Sequence, residues 1–163
     1  MLEYKLVLCG IIVIGCFLAG KTVSDGMKRR KKTLKDLVIA LTQMEAYVMA
    51  SMPVGEIYPR LAGKGEVGEM FSYMSEAEEI NCVSLWKNGM KKLSVTDEDK
   101  KALTELSGVL GKTTADRQKK AFAICLADLE KQLEKAEGKY EKEGALYQKL
   151  GACAGLLLSF FLI

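Results

Sequence analysis

Two uncharged runs bracket a densely charged middle. Residues 6–20 (LVLCGIIVIGCFLAG) and 150–163 (LGACAGLLLSFFLI) contain no Asp, Glu, Lys or Arg. At about 1.5 Å of rise per residue, either run as a helix covers roughly 20–22 Å, against a hydrocarbon core of ~30 Å. Lys5 and Lys21 flank the first run and extend its reach by snorkelling. Each run is short by itself, but two in one chain predict a membrane hairpin. The expected organisation is an N-terminal transmembrane helix over residues 1–23, a cytoplasmic helical domain over 24–148 and a C-terminal transmembrane segment over 149–163.

Helical spacing dominates the middle. Leu34, Leu37, Val38, Leu41, Met44 and Val48 recur at i, i+3, i+4 and i+7, interrupted at Glu45, and predict an amphipathic helix to about Met52. Pro53 suits the first turn of the next helix, whose apolar face is Val54, Ile57, Tyr58 and Leu61 and which Pro59 should kink or end. Gly63 and Gly65 mark a loop. Val67, Met70, Phe71 and Met74 form one further stripe, and Leu85, Trp86, Met90 and Leu93 another. Thr96 followed by Asp97, Glu98 and Asp99 is a helix start, and Gly111 a stop. From Thr114 onward Phe122, Leu126, Leu129, Leu133, Ala136, Tyr140, Tyr147 and Leu150 trace a heptad seam on one long helix. Its natural partner is the continuation of the first apolar helix, packed antiparallel. The predicted fold is all-α, a small helical bundle flanked by hydrophobic membrane helices. Met44, Met49, Met52, Met70, Met74, Met90 and Trp86 read as core.

Charge orients this hairpin. Lys21, Lys28, Arg29, Arg30, Lys31, Lys32 and Lys35 stand against Asp25 and Asp36, while the whole chain carries only +3. An excess of Lys and Arg beside a span marks the cytoplasmic side, which puts the middle inside the cell and both termini outside. The same basic cluster suits anionic headgroups of a lipid bilayer. With no aromatic residue interleaved to stack bases, it does not suit nucleic acid. In the distal run, Gly151 and Gly155 form a GxxxG, the spacing that lets membrane helices approach closely. Its partner is either the first span or another copy of the chain.

The chain has no histidine, which excludes Ser-His and Cys-His nucleophiles and imidazole metal sites. Its five cysteines (Cys9, Cys16, Cys82, Cys125, Cys153) form no CxxC pair and read as small apolar fillers. No catalytic, cofactor or metal site is predicted. Residues 15–22 (GCFLAGKT) satisfy the phosphate-loop pattern, with Lys21 and Thr22 as its polar end. Such a loop belongs between a strand and a helix of a parallel sheet, and nothing else here reads as one. The membrane helix is the stronger reading. A third reading takes residues 13–16 (VIGC) as a lipobox, with Cys16 as a lipid anchor of an external interaction module. It leaves the distal apolar run unexplained.

Residues 40–62 (ALTQMEAYVMASMPVGEIYPRLA), including Glu45 and Pro53, resemble the helix–Pro–helix opening of the type II secretion F domain. The ordered set that follows is more specific. Leu110-Gly111, Asp116-x-Gln118, Tyr147-x-x-Leu150-Gly151 and the terminal GLLLSFFLI resemble the stage III sporulation protein AB family, across essentially the whole chain. Pro59 and the presence of one domain instead of two are departures from the secretion F pattern.

The resemblance implies an endospore-forming bacterium and a non-enzymatic platform in the membrane complex that links mother cell and forespore. It implies the mother-cell membrane facing the forespore as the location. It also implies contact with the other subunits of that complex, including its cytoplasmic ATPase; pairing of the GxxxG with another copy would make a homo-oligomer.

Overall fold

The structure, a computed structural model, describes residues 2–77 and 81–162. Among them are six α-helices and no strand: α1 (Leu2–Met49), α2 (Val54–Leu61), α3 (Glu66–Glu76), α4 (Cys82–Gly89), α5 (Asp97–Val109) and α6 (Ala115–Leu162). A 3-10 turn, Met90–Lys92, follows α4. The all-α expectation, with a long apolar N-terminal helix and a long C-terminal helix, is what the structure shows. The chain divides into two compact units, one of Lys32–Glu134 and one in which Met1–Lys31 pairs with Lys135–Ile163.

The first unit is a small bundle whose core follows the predicted stripes. Leu34, Leu37, Leu41 and Met44 of α1 are buried with Ile57 and Tyr58 of α2 and Val67, Met70, Phe71 and Met74 of α3. Leu85, Trp86, Met90, Leu93, Leu103, Leu106, Leu110, Phe122 and Leu129 complete it. Trp86 stands edge-on to Phe71 at 6.2 Å between ring centroids, and its Nε1 donates to the Tyr58 hydroxyl at 3.1 Å. The hydroxyl lies 3.7 Å from Cys82 Sγ. Burial holds the Tyr58 phenol well above its ordinary value.

Local signals place the helix ends. Thr96 accepts from the Asp99 N–H and its own N–H donates to the Asp99 carboxylate, a reciprocal capping box at the start of α5. Gly111, at φ 69°, leaves α5 in the left-handed region that glycine tolerates. Pro59 sits inside α2, which ends at Leu61.

Three expectations are corrected. Helix α1 ends at Met49, short of Met52. There Ser51 adopts φ 62°, Met52 N–H donates to Tyr47 C=O at 3.1 Å, and Ser51 N–H donates to Val48 C=O at 3.0 Å. That is the Schellman termination usually carried by glycine. Pro53 precedes the first turn of α2 instead of opening it. The heptad seam of α6 also differs. Phe122, Leu129 and Ala136 are buried, but Cys125 joins them while Leu126 and Leu133 are only half-buried, and Tyr147 and Leu150 are exposed.

Candidate functional site

In the unit made by the chain's two ends, α1 and α6 run antiparallel and meet through residues with almost no side chain. A Cβ added at Gly151 would lie 2.5 Å from the Cys16 carbonyl oxygen, and one at Gly155 would lie 2.8 Å from Val13 Cα. One at Gly20 would strike the Tyr147 carbonyl oxygen. Gly20 and Gly151 face each other directly, each Cα 3.4 Å from the other's added Cβ. Among the described side chains, the buried residues here are small: Ser24 on α1, and Ala136, Gly144, Gly155 and Ser159 on α6. Glycines let two backbones touch, so packing gains dispersion energy without needing a water-driven apolar core. This explains the failed seam, because large residues at 147 and 150 are turned away from the crossing.

What turns outward is apolar. Ile11, Ile14, Phe17 and Leu18 of α1 are exposed, as are Leu156, Leu157, Leu158 and Phe160 of α6. Among the described residues one helix is long and apolar enough to cross a membrane, α1 from Gly10. The side chains of Lys5 and Cys9 lie outside those described. Beyond the glycine crossing the pair becomes polar. Lys31 Nζ lies 3.3 Å from the Glu137 carboxylate and 5.9 Å from the centroid of the Tyr140 ring. Lys21, Lys28, Arg29, Lys32 and Lys35 are exposed along α1, with Arg30 and Lys31 half-buried.

The phosphate-loop lookalike is not a loop. Residues 15–22 are continuous α-helix within α1. Thr22 Oγ1 donates to the Leu18 carbonyl of its own helix at 2.9 Å. Gly20 lies against α6, so no ring of N–H groups faces a phosphate. Among the described residues no cluster of Cys, Asp or Glu is placed to hold a metal ion.

The remaining predicted residues sit in the bundle. Glu45 is half-buried on α1 and Pro53 is exposed at the head of α2. Gly111 and Gln118 are brought together: the Gly111 N–H donates to Gln118 Oε1 at 3.3 Å, and Gln118 Nε2 donates to the Thr113 carbonyl at 2.9 Å. Gln118 thus ties the α5–α6 turn to the first turn of α6. Sequence reasoning missed Glu66. Its carboxylate accepts from Thr33 Oγ1 at 2.8 Å, from Ser94 N–H at 2.6 Å and from Ser94 Oγ at 2.7 Å. It joins α1, α3 and the loop before α5. An acid at a helix start reads as dipole compensation, and partners 28 and 33 residues away leave no local trace.

The chain shares its fold with a solved structure of stage III sporulation protein AB (SpoIIIAB), with a TM-score of 0.56 and 23% identity. The match covers 69% of this chain and 96% of that one. No curated protein sequence matches. The family Stage III sporulation protein AB matches residues 5–163. With that match running through both apolar ends and the bundle between them, the chain belongs to the stage III sporulation protein AB family.

Proposed function

We propose that this protein is a non-enzymatic membrane component of the complex that links mother cell and forespore, acting as a platform that couples a cytoplasmic ATPase to that complex. The observation that carries the reading is the unit made by α1 and α6. Its interior is satisfied by glycine contacts while its outer surface is a band of exposed Ile, Leu and Phe. Large contiguous apolar surface is covered in a working protein, and lipid is the cover that suits a helix pair. Antiparallel pairing puts both ends of the chain on one side of the bilayer. The basic stretch over residues 21–35 then favours the opposite, cytoplasmic side for the bundle, and lets that stretch meet anionic headgroups. The location proposed is the mother-cell membrane facing the forespore.

Topology is tested with an impermeant thiol reagent on Lys101→Cys, an exposed position of α5, compared with the parent chain. Extra labelling is expected only after the membrane is opened; labelling in intact cells would reverse the orientation. Coupling is tested by copurification of the ATPase with the full-length chain in detergent. The ATPase is expected to remain bound, and its absence would remove the platform reading. The purified chain is expected to hydrolyse no ATP. Activity lost in Lys21→Ala would restore the nucleotide reading.

A further inference from the structure

Among the described residues of Lys32–Glu134, three large hydrophobic side chains stand exposed: Ile39, Tyr73 and Ile124. Ile124 is the most open, at 62%. It borders a groove between α5 and α6 whose apolar lining is Ala102, Leu106, Val109, Ala121 and Cys125. Alanines at 102 and 121 leave room that larger residues would fill. Glu105 and Asp128, both exposed, form the rim. Their charge reaches the lining: burial first, then the carboxylates of Asp128 and Glu105, push the Cys125 thiol up to about 12.

We infer that the α5–α6 groove docks an amphipathic segment of a different protein, which seats an apolar side chain beside Ile124 and sets Lys or Arg against Glu105 and Asp128. The inference rests on the partner-binding reading above and narrows it to one face and one charge. The sign of the rim selects the occupant. A second copy meeting this face by a two-fold axis would place carboxylate against carboxylate. An anionic lipid surface would meet the same repulsion. A basic segment gains both the apolar contact and the charge pairing, the mode in which an amphipathic helix lies in a groove.

The test uses the full-length chain in the membranes of sporulating cells, with the photoreactive residue benzoylphenylalanine in place of Ile124. The same residue in place of Tyr73 serves as reference on another face. Light is expected to join position 124, and not position 73, to a Lys- or Arg-bearing segment of another protein, located by mass spectrometry. Combining E105K with D128K is expected to abolish that adduct while circular dichroism stays as in the parent. Ala121→Trp, which fills the groove without adding charge to the rim, is expected to abolish it too. No adduct, an adduct with lipid or a second copy, or one indifferent to charge reversal would overturn the inference. An adduct with a protein other than the ATPase keeps the groove and removes the ATPase from this face. A copurifying ATPase with no adduct at 124 removes the groove and keeps the platform.

Discussion

Glu66 shows how one carboxylate can join segments that the sequence keeps apart. Three donors converge on it, from Thr33 and from both the backbone and side chain of Ser94. Hydrogen bonds to a charged group contribute more than neutral ones, and removing the acceptor strands the donors. Glu66→Ala is therefore expected to cost about 2–3 kcal/mol in urea unfolding of the detergent-solubilised protein. Glu66→Gln, which still accepts, should cost less. Cys125 carries a pH dependence of definite sign. Its thiol pKa in the fold, raised by burial and then by Asp128 and Glu105, exceeds the ordinary 9.0. The folded state holds this proton more tightly than the unfolded chain, so the contribution is complete below pH 9 and is lost as pH rises toward 12. Stability should fall across that window, and less steeply in Cys125→Ala than in the parent after allowing for its lower starting value. Alkaline melting curves would show it.

At the scale of the element, the helices were legible and several of their ends were not. Apolar spacing marked the core faces of α1, α3 and α4, because burial in a bundle demands that period. The Thr96–Asp99 box was visible because a cap is written within four consecutive residues. The end of α1 was not visible, since the left-handed position belongs to Ser51 and the usual glycine signal is missing. This predicts that Ser51→Gly stabilises the protein by about 0.5–1 kcal/mol, because a side chain in the left-handed region carries a steric cost. Gly111→Ala, at φ 69°, should destabilise by roughly 1–2 kcal/mol for the same reason. Both are checked by thermal unfolding, and their opposite signs make the comparison internal. The seam of α6 was misread on the same principle. Periodicity scores large side chains as contacts, whereas α6 meets α1 through Gly151 and Gly155.

At the scale of the molecule, the two units rest on different physics. The bundle over Lys32–Glu134 buries Trp86, Phe71, Phe122 and a set of leucines and methionines away from water. The helix pair of the chain's ends gains its stability from backbone proximity. Gly151→Leu is expected to separate that pair while leaving the bundle folded. Near-ultraviolet circular dichroism of Trp86, the only tryptophan, should stay unchanged. Cysteines introduced at Ser24 and Gly144, where an added Cβ lies 3.4 Å from Ser24 Oγ, should lose their disulfide cross-linking in the Gly151→Leu background.

The crossing at Gly20, Gly151 and Gly155 also leaves a particular genetic signature. An alanine scan searches for contacts by deleting side chains, and at these three glycines there are none to delete. Here every substitution adds atoms, so even alanine is an insertion. The neighbouring leucines from 156 to 158, which face outward, should exchange freely with other apolar residues. A saturation screen for spore formation would then read the contact as sites where nothing larger than hydrogen is accepted, set among long positions that tolerate almost any apolar residue.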